Sequence, residues 1–136
     1  MKFRKKYWVI SFLFAFVLIS VAATKPKKDD PFKNLQVLPK DISSKDLSHI
    51  MVDEFSEGTG MSCGTCHAKE KDSEKLDYAS DAKPEKQIAR AMMIMTLDLN
   101  KKYFGIEKPM IGAQLMAVTC NTCHRGQPRP DDATAP

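Results

Sequence analysis

Two short strings of residues in this chain have the composition and spacing for covalent chemistry. Each follows the pattern C-x-x-C-H, once at Cys63–His67 and again at Cys120–His124. Two thiols three positions apart can form thioethers with the vinyl groups on one edge of a porphyrin, and the adjacent imidazole can bind the iron as its proximal ligand. The predicted thioether positions are Cys63, Cys66, Cys120 and Cys123, and the predicted proximal ligands are His67 and His124. Together the strings predict two covalently bound haem c groups.

Three other interpretations of the cysteines account for less of the pattern. A four-thiolate zinc site would use both pairs, but 53 residues separate Cys66 from Cys120 and both adjacent histidines would be unexplained. A thioredoxin-like redox pair would need a βαβ pattern around it, which neither string has. A disulfide framework does not readily use two such closely spaced pairs. Haem attachment is therefore the favoured interpretation.

The N-terminus has the form of an export signal. A basic start is followed by an uncharged, mostly apolar run of 16 residues from Trp8 to Ala23. Small residues at its end predict cleavage after Ala23, so that residues 1–23 are a signal peptide. Sixteen residues are short for a membrane span, which needs about 20, but an uncleaved N-terminal membrane anchor stays open as the alternative. With either a cleaved signal peptide or an uncleaved anchor, the rest of the chain is expected in the periplasm, where thiols are exposed to oxidation.

The composition of the remaining chain excludes one class of function and suggests a cofactor. Without residues 1–23, 17 basic residues balance 17 acidic ones, which gives no support to nucleic-acid binding. The remaining 113 residues contain only five aromatic side chains. A domain of this size has a thin protein core. Two buried porphyrins would supply the missing apolar mass.

The sequence pattern predicts a mainly α-helical protein. Residues 24–40 are charged and rich in proline and predict a tether, within which residues 34–39 are expected to lie extended against a domain formed by residues 41–136. A first helix, capped by Ser43 or Ser44, has apolar residues at helical spacing and ends near Gly58 and Gly60 before the first haem string. The apolar positions are Leu47, Ile50, Met51 and Phe55.

The second half repeats this organisation after a polar loop at 69–83. A longer helix begins near Pro84 and ends at Gly105, and the segment 111–118, also predicted to be helical, leads to the second haem string. The apolar face of the longer helix is formed by Ile88, Met92, Met95 and Leu99. The predicted fold is a multihaem cytochrome c, in which two helix–loop–CxxCH units pack around two covalent haems, without a β-sheet.

Methionine is the expected sixth ligand of each iron. A thioether sulfur closes the open face and raises the reduction potential relative to bis-histidine ligation. Met51 is the best candidate in the first half, because it lies on the apolar helix face, and His49 is its rival on a different face. In the second half Met92 and Met95 share one face, so their spacing does not decide between them.

Two longer strings resemble a known family. The pattern R-x-M-x-x-M-T-x-x-x-N at residues 90–100, followed by V-T-C-x-T-C-H-R-G-x-P at 118–128, is similar to the cytochrome c subunit of purple-bacterial photosynthetic reaction centres. The resemblance implies that the methionine two residues after Arg90, Met92, is an axial ligand and that Met95 packs against the haem. Residues 47–67 resemble the family's other helix–Met–CxxCH unit more loosely, which implies ligation by Met51. The photosynthetic subunit carries four haems, so a small di-haem relative is the expected match.

These features predict an electron carrier. A six-coordinate iron in each unit would pass electrons by outer-sphere transfer between other redox proteins, its donor and acceptor. No catalytic residues are predicted. The alternative is a peroxidase-like di-haem enzyme with one displaceable axial ligand, but the sequence has no distal acid/base pair and His49 is the only spare histidine.

Overall fold

The computed structural model describes residues 32–132, so the predicted signal peptide and the start of the predicted tether lie outside the described residues. Helices dominate. In chain order they are α1 (Ser44–His49), a π-helix (Ile50–Glu57), α2 (Cys63–Cys66), α3 (Pro84–Phe104), α4 (Cys120–His124) and a 3₁₀ turn (Pro130–Asp132). Two short strands, β1 (Ala68–Lys69) and β2 (Leu76–Asp77), pair antiparallel between α2 and α3. The prediction of a mainly helical protein is confirmed, with this small ladder in the segment expected to be a loop.

The first predicted helix has the expected limits but an unexpected winding. The Ser43 side chain accepts a hydrogen bond from the backbone N–H of Asp46 and so caps α1. From Ile50 the chain continues as a π-helix, and the backbone N–H of Gly58 donates to the carbonyl of Asp53, five residues back. Gly60, at φ 67°, ends the helical run. A π-helix holds more residues per turn than an α-helix, so the side chains that follow Ile50 are displaced from their α-helical positions.

The long helix α3 has the predicted ends. Pro84 occupies its first turn, where the missing N–H costs nothing, and Gly105 closes it in the left-handed conformation at φ 66°. The segment 111–118 is a series of turns, so the prediction of a helix there is wrong. Gly112 has φ 79°, and the backbone N–H groups of Ala113 and Met116 each donate to the carbonyl three residues earlier.

The protein core is small, and α3 contributes to it through Met93, which lies on a face that the sequence pattern did not predict to be apolar. Four apolar side chains are buried in the described part of the chain, namely Leu38, Ile50, Met93 and Ile111. Partly buried residues pack around them from the first helical run, as predicted, from α3 and from the connecting segments. These residues are Leu35, Val37, Ile42, Leu47, Met51, Phe55, Leu97 and Met116. Met92 and Met95, on the predicted apolar face of α3, are 41% and 47% exposed. The polar residues of α3, including Arg90 and Asn100, are buried instead.

Each haem string packs against a helix from the other half of the chain. Helix α2, from the first half, packs against α3 from the second half, and α4 from the second half packs against the π-helix of the first. Each attachment helix therefore packs against a helix of the other half, α2 against α3 and α4 against the π-helix. No helix among residues 32–132 combines the length and apolar character required to span a membrane.

Candidate haem attachment sites

Both haem strings form a single helical turn that places their reactive groups together. In α2 the backbone N–H of His67 donates to the carbonyl of Cys63 at 3.0 Å. In α4 the N–H of Arg125 donates to Asn121 at the same distance. Residues three and four apart lie on one side of a helical turn, so both thiols and the histidine of each string lie on one face. This is the arrangement that attachment along one porphyrin edge requires.

Matching hydroxyl groups begin the two turns. The hydroxyls of Ser62 and Thr65 lie 3.3 Å apart, and those of Thr119 and Thr122 lie 3.3 Å apart at the second site. The second pair is reinforced because the backbone N–H of Thr119 donates to the Thr122 hydroxyl at 3.0 Å. The two strings thus begin with the same hydroxyl contact.

The ring of His124 is oriented for metal binding. Its side chain is buried, and Nδ1 lies 3.0 Å from the carbonyl oxygen of Gln127. A carbonyl can only accept a hydrogen bond, so Nδ1 carries the proton and Nε2 keeps a free lone pair. Metal-binding histidines commonly have this backbone contact, which fixes both the tautomer and the orientation of the ring.

His67 is held differently. Its ring makes an edge-on contact with the ring of Tyr78, with 5.0 Å between centroids. Nδ1 is buried and has no aligned hydrogen-bond partner among residues 32–132. Burial lowers the pKa of His67, and the positive charges of Lys86 and Arg90 lower it further, while the Tyr78 backbone acts in the opposite direction. A neutral imidazole, the form that binds iron, is therefore favoured.

The four cysteines are separate free thiols, with Cys63 and Cys123 exposed. Burial is the main cause that raises the pKa of Cys66, and it raises that of Cys120 to about 11, with the nearby Glu54 carboxylate adding to the effect. No three His, Cys, Asp or Glu side chains between residues 32 and 132 come close enough to hold a metal ion. The thiols therefore lack the convergent geometry of a four-cysteine zinc site.

Asn100 fixes the chain just before the second haem string. Its side chain is fully buried, and its Nδ2 donates to the carbonyls of Val118 at 2.7 Å and Thr96 at 2.8 Å. Its Oδ1 accepts from the backbone N–H groups of Ala117 at 2.7 Å and Val118 at 3.1 Å. Sequence analysis quoted this asparagine within the family-like string but gave it no role. The structure shows that it ties the approach to Cys120 to α3.

Two glycines, Gly58 and Gly60, lie directly against α4 and the turn that follows it. We call residues 58–60 the glycine seat, because the backbone of α4 and the following turn rest directly on them. A Cβ at Gly60 would lie 2.1 Å from the carbonyl oxygen of Gly126, and one at Gly58 would lie 3.4 Å from the backbone nitrogen of Asn121. The N–H of Gly126 donates to the carbonyl of Gly58 at 3.1 Å. Arg125 and Gly126, noted in the sequence, therefore form a turn, with φ of 52° and 72°, that closes onto the seat.

The candidate sixth ligands lie in different surroundings. Met51 is half-buried at the edge of the core, and His49 is exposed and pairs with Asp53 four residues later. Met92 and Met95 lie on the open face of α3, while Met93 is buried. A groove of about 710 Å³, lined partly by Met95 and Leu99, runs along this face. Its volume is within the range of about 300–1,000 Å³ that is usual for cofactor and ligand sites.

The exposed apolar residues of α3 show whether this surface could pack against a haem. A helix normally turns its apolar stripe toward the core and its polar residues toward water. Several positions of α3 depart from this rule: Ile88 is also exposed, while Lys86 and Thr96 are buried. Large apolar side chains on one open face need a covering group, and a porphyrin has the required flat apolar surface. The residues present therefore fit the haem that the attachment strings predict.

Comparisons with known proteins identify the family of this chain. The family described as photosynthetic reaction centre cytochrome C subunit matches residues 15–135. A protein of Rubrivivax gelatinosus (strain NBRC 100245 / IL144), named photosynthetic reaction center cytochrome c subunit, is 28% identical over 116 residues, which is 79% of this chain. The chain spans only 26% of that protein's length. No solved structure gives a significant match. This chain belongs to the photosynthetic reaction centre cytochrome c subunit family, whose members are electron-transfer proteins with covalently bound haem.

Proposed function

We propose that this chain is an exported di-haem cytochrome c that carries electrons between redox proteins. The observation that carries the proposal is the pair of one-turn attachment helices, each presenting two thiols and a histidine on one side. Duplicated local structure of this kind supports one haem at each string. The family assignment supports electron transfer, and the small protein core leaves room for the prosthetic groups as part of the interior.

The proposed axial ligands are His67 with Met51 at one iron and His124 with Met92 at the other. His124 supports its assignment through the Nδ1 contact that leaves Nε2 free. Met92 lies on the exposed apolar face of α3, and Met51 lies on the first helical run. Haem iron, when bound, supplies reversible one-electron chemistry. The chain's contribution is to hold the ligands in place and to cover the ring with apolar side chains.

We place the protein in the periplasm, either free after removal of residues 1–23 or held at the inner membrane by them. The apolar run and the haem attachment strings support export. The proposed partners are an electron donor and an electron acceptor on the same side of the membrane. Cys63 and Cys123 are exposed, so one edge of each attached ring would be accessible to such partners.

Counting haem tests this proposal. The chain, produced with a c-type haem ligation system, should carry two haem masses after denaturation. Replacing Cys63 and Cys66 by Ser should remove one haem, and replacing Cys120 and Cys123 by Ser should remove the other. Ser62→Ala, which leaves the thiols intact, is the matched control and should retain two. A chain that binds zinc stoichiometrically and no haem would contradict the proposal.

A second experiment tests the ligands and the absence of an open coordination position. Met51→Ala and Met92→Ala should each lower one reduction potential and allow carbon monoxide to bind the reduced protein. Met95→Ala is the matched control on the same helix face, and it should keep both irons six-coordinate and closed to carbon monoxide. Loss of sulfur ligation in Met95→Ala would move the assignment by one helical turn. Rapid carbon monoxide binding and peroxide turnover by the unmodified protein would favour the peroxidase-like alternative.

A further inference from the structure

The chain leaves its two attachment helices in different directions. After α4, Arg125 adopts the left-handed conformation and turns the backbone back, so that the carbonyl of Gln127 reaches Nδ1 of His124. After α2, His67 itself is extended, with φ −105° and ψ 125°, and the chain continues into β1. Nδ1 of His67 has no aligned partner in the described part of the chain. The local contact that orients the second histidine is therefore missing at the first.

The short β-ladder supplies a contact from another segment. Its register pairs Ala68 with Asp77, so the next positions, His67 and Tyr78, lie opposite each other. Side chains at opposite positions of an antiparallel pair come close together. The rings of His67 and Tyr78 accordingly meet edge to face, with 5.0 Å between centroids and 66° between planes. The ladder, which the sequence did not predict, thus places an aromatic ring against the first proximal histidine.

A buried lysine holds the backbone of this tyrosine. Lys86, on α3, has a side chain that is only 10% exposed. Its Nζ donates to the carbonyls of Tyr78 at 2.9 Å and Ser80 at 2.6 Å, and it lies 3.4 Å from a carboxylate oxygen of Asp81. An ammonium group has three donors, and all three are thus directed at the loop 78–81. Since α3 packs against α2, Lys86 fixes this loop relative to the attachment helix.

The loop is also held from two other sides. The half-buried carboxylate of Asp77 accepts from the backbone N–H groups of Ala79 at 3.0 Å and Ser80 at 3.1 Å. Asn34, from the end of the predicted tether, donates through Nδ2 to the carbonyl of Ala79 at 2.6 Å. The N–H groups of the loop are thus bonded by Asp77 and its carbonyls by Lys86 and Asn34. These bonds keep the loop in one conformation.

We propose that Lys86 is a positioning residue for the first haem site, which acts through Tyr78 to set the orientation of the His67 imidazole. The inference rests on the proposed function, because it takes His67 as an iron ligand. Groups around a metal-binding histidine commonly fix the orientation of its ring. At Cys120–His124 a backbone carbonyl three residues along the chain provides this. At Cys63–His67 the ladder, the tyrosine ring and the lysine of α3 provide it together.

Proton NMR of the oxidised holoprotein tests the assignment. The plane of an axial imidazole determines how the unpaired spin of ferric iron spreads over the porphyrin, so it sets the shifts of the haem methyl resonances. Tyr78→Leu and Lys86→Met should each shift the methyl resonances of the haem at Cys63–His67 and leave the other set in place. A protein with Cys63→Ser and Cys66→Ser, which keeps only the other haem, identifies that set.

Two matched controls separate ring contact and local structure from general effects of substitution. Tyr78→Phe retains the ring edge and should shift neither set of resonances. Lys45→Met removes an exposed lysine on α1 and should also shift neither. The Tyr78 ring is 64% exposed, so Tyr78→Leu removes little buried surface. Unchanged resonances in Tyr78→Leu overturn the proposal even where Lys86→Met fails to fold.

The double variant tests whether Lys86 acts through Tyr78. Substitutions that act through one shared contact are not additive. Lys86→Met should therefore add little to the shifts that Tyr78→Leu already causes. Additive shifts overturn the proposal, and so do shifts of both haems by either single variant. Those results leave the proposed function intact, since two haems per chain would still be counted, whereas fewer than two haems in the unmodified protein would contradict the proposed function itself.

Discussion

Replacing Asn100 by alanine should weaken the fold at the second haem string. The substitution removes four hydrogen bonds, three of them to backbone groups of residues 117 and 118. A hydrogen bond contributes about 0.5–1.5 kcal/mol net to stability, and the partly exposed partners can recover some of this from water. We expect the free energy of unfolding to fall by about 2–4 kcal/mol, a large part of the 5–15 kcal/mol typical of a domain.

Guanidinium chloride unfolding of the holoprotein measures this loss. A decrease of that size should lower the midpoint by about 1 M, since small proteins lose roughly 2–6 kcal/mol of stability per molar guanidinium. Gln114→Ala, at an exposed position of the same connection, is the control and should leave the midpoint unchanged. Equal midpoints for Asn100→Ala and Gln114→Ala would refute the idea that Asn100 holds the segment before Cys120.

Three further substitutions test other parts of the structure. In thermal unfolding, Gly60→Ala should destabilise the protein at least twice as much as Gly105→Ala. Both glycines have positive φ, so an alanine at either position is strained by about 1–3 kcal/mol. Only at Gly60 would the added Cβ also meet a backbone oxygen, while the space beside Gly105 is open. Met93→Ala should lower the free energy of unfolding by about 2–5 kcal/mol. It should shift neither reduction potential, because Met93 is buried in the protein core. A shift in a potential would contradict this placement of Met93. The pKa of Asp81 is lowered, first by the Asn34 hydrogen bond and then by Arg90 and Lys86, from an ordinary 3.8. Its contribution to stability is therefore full above about pH 4 and is lost as the pH falls toward the lowered value, so Asp81→Asn should flatten the acid limb of the stability profile, and an unchanged limb would contradict this.

Local signals in the sequence predicted the haem strings and most helix ends. Ser43 acts through a hydrogen bond to a residue three positions later, and Pro84 and Gly105 act through their own backbone conformation, so their effect is visible without knowledge of the rest of the fold. The family resemblance was confirmed by the match over residues 15–135. The number of haems, their axial ligands and the export signal stay predictions.

Properties that depend on distant contacts were not visible in the sequence. Apolar spacing predicted which side of α3 is hydrophobic, but the protein core uses Met93 on another side. Lys86 and Asn100 have side chains that normally face water, and only the carbonyls supplied by other segments explain their burial. The segment 111–118 contains turns in place of the predicted helix: Gly112 has a left-handed backbone, and Asn100 accepts hydrogen bonds from the backbone N–H groups of Ala117 and Val118.

Each attachment helix packs against the other half of the chain, and this limits how such proteins can change in evolution. Helix α4 rests on the glycine seat of the first half, and α2 rests on α3 of the second. A gene fragment encoding one half would produce an attachment string without its support. Duplication or loss of a complete pair, in contrast, keeps every string on a matching surface. We therefore expect the attachment strings of this architecture to be gained or lost in pairs.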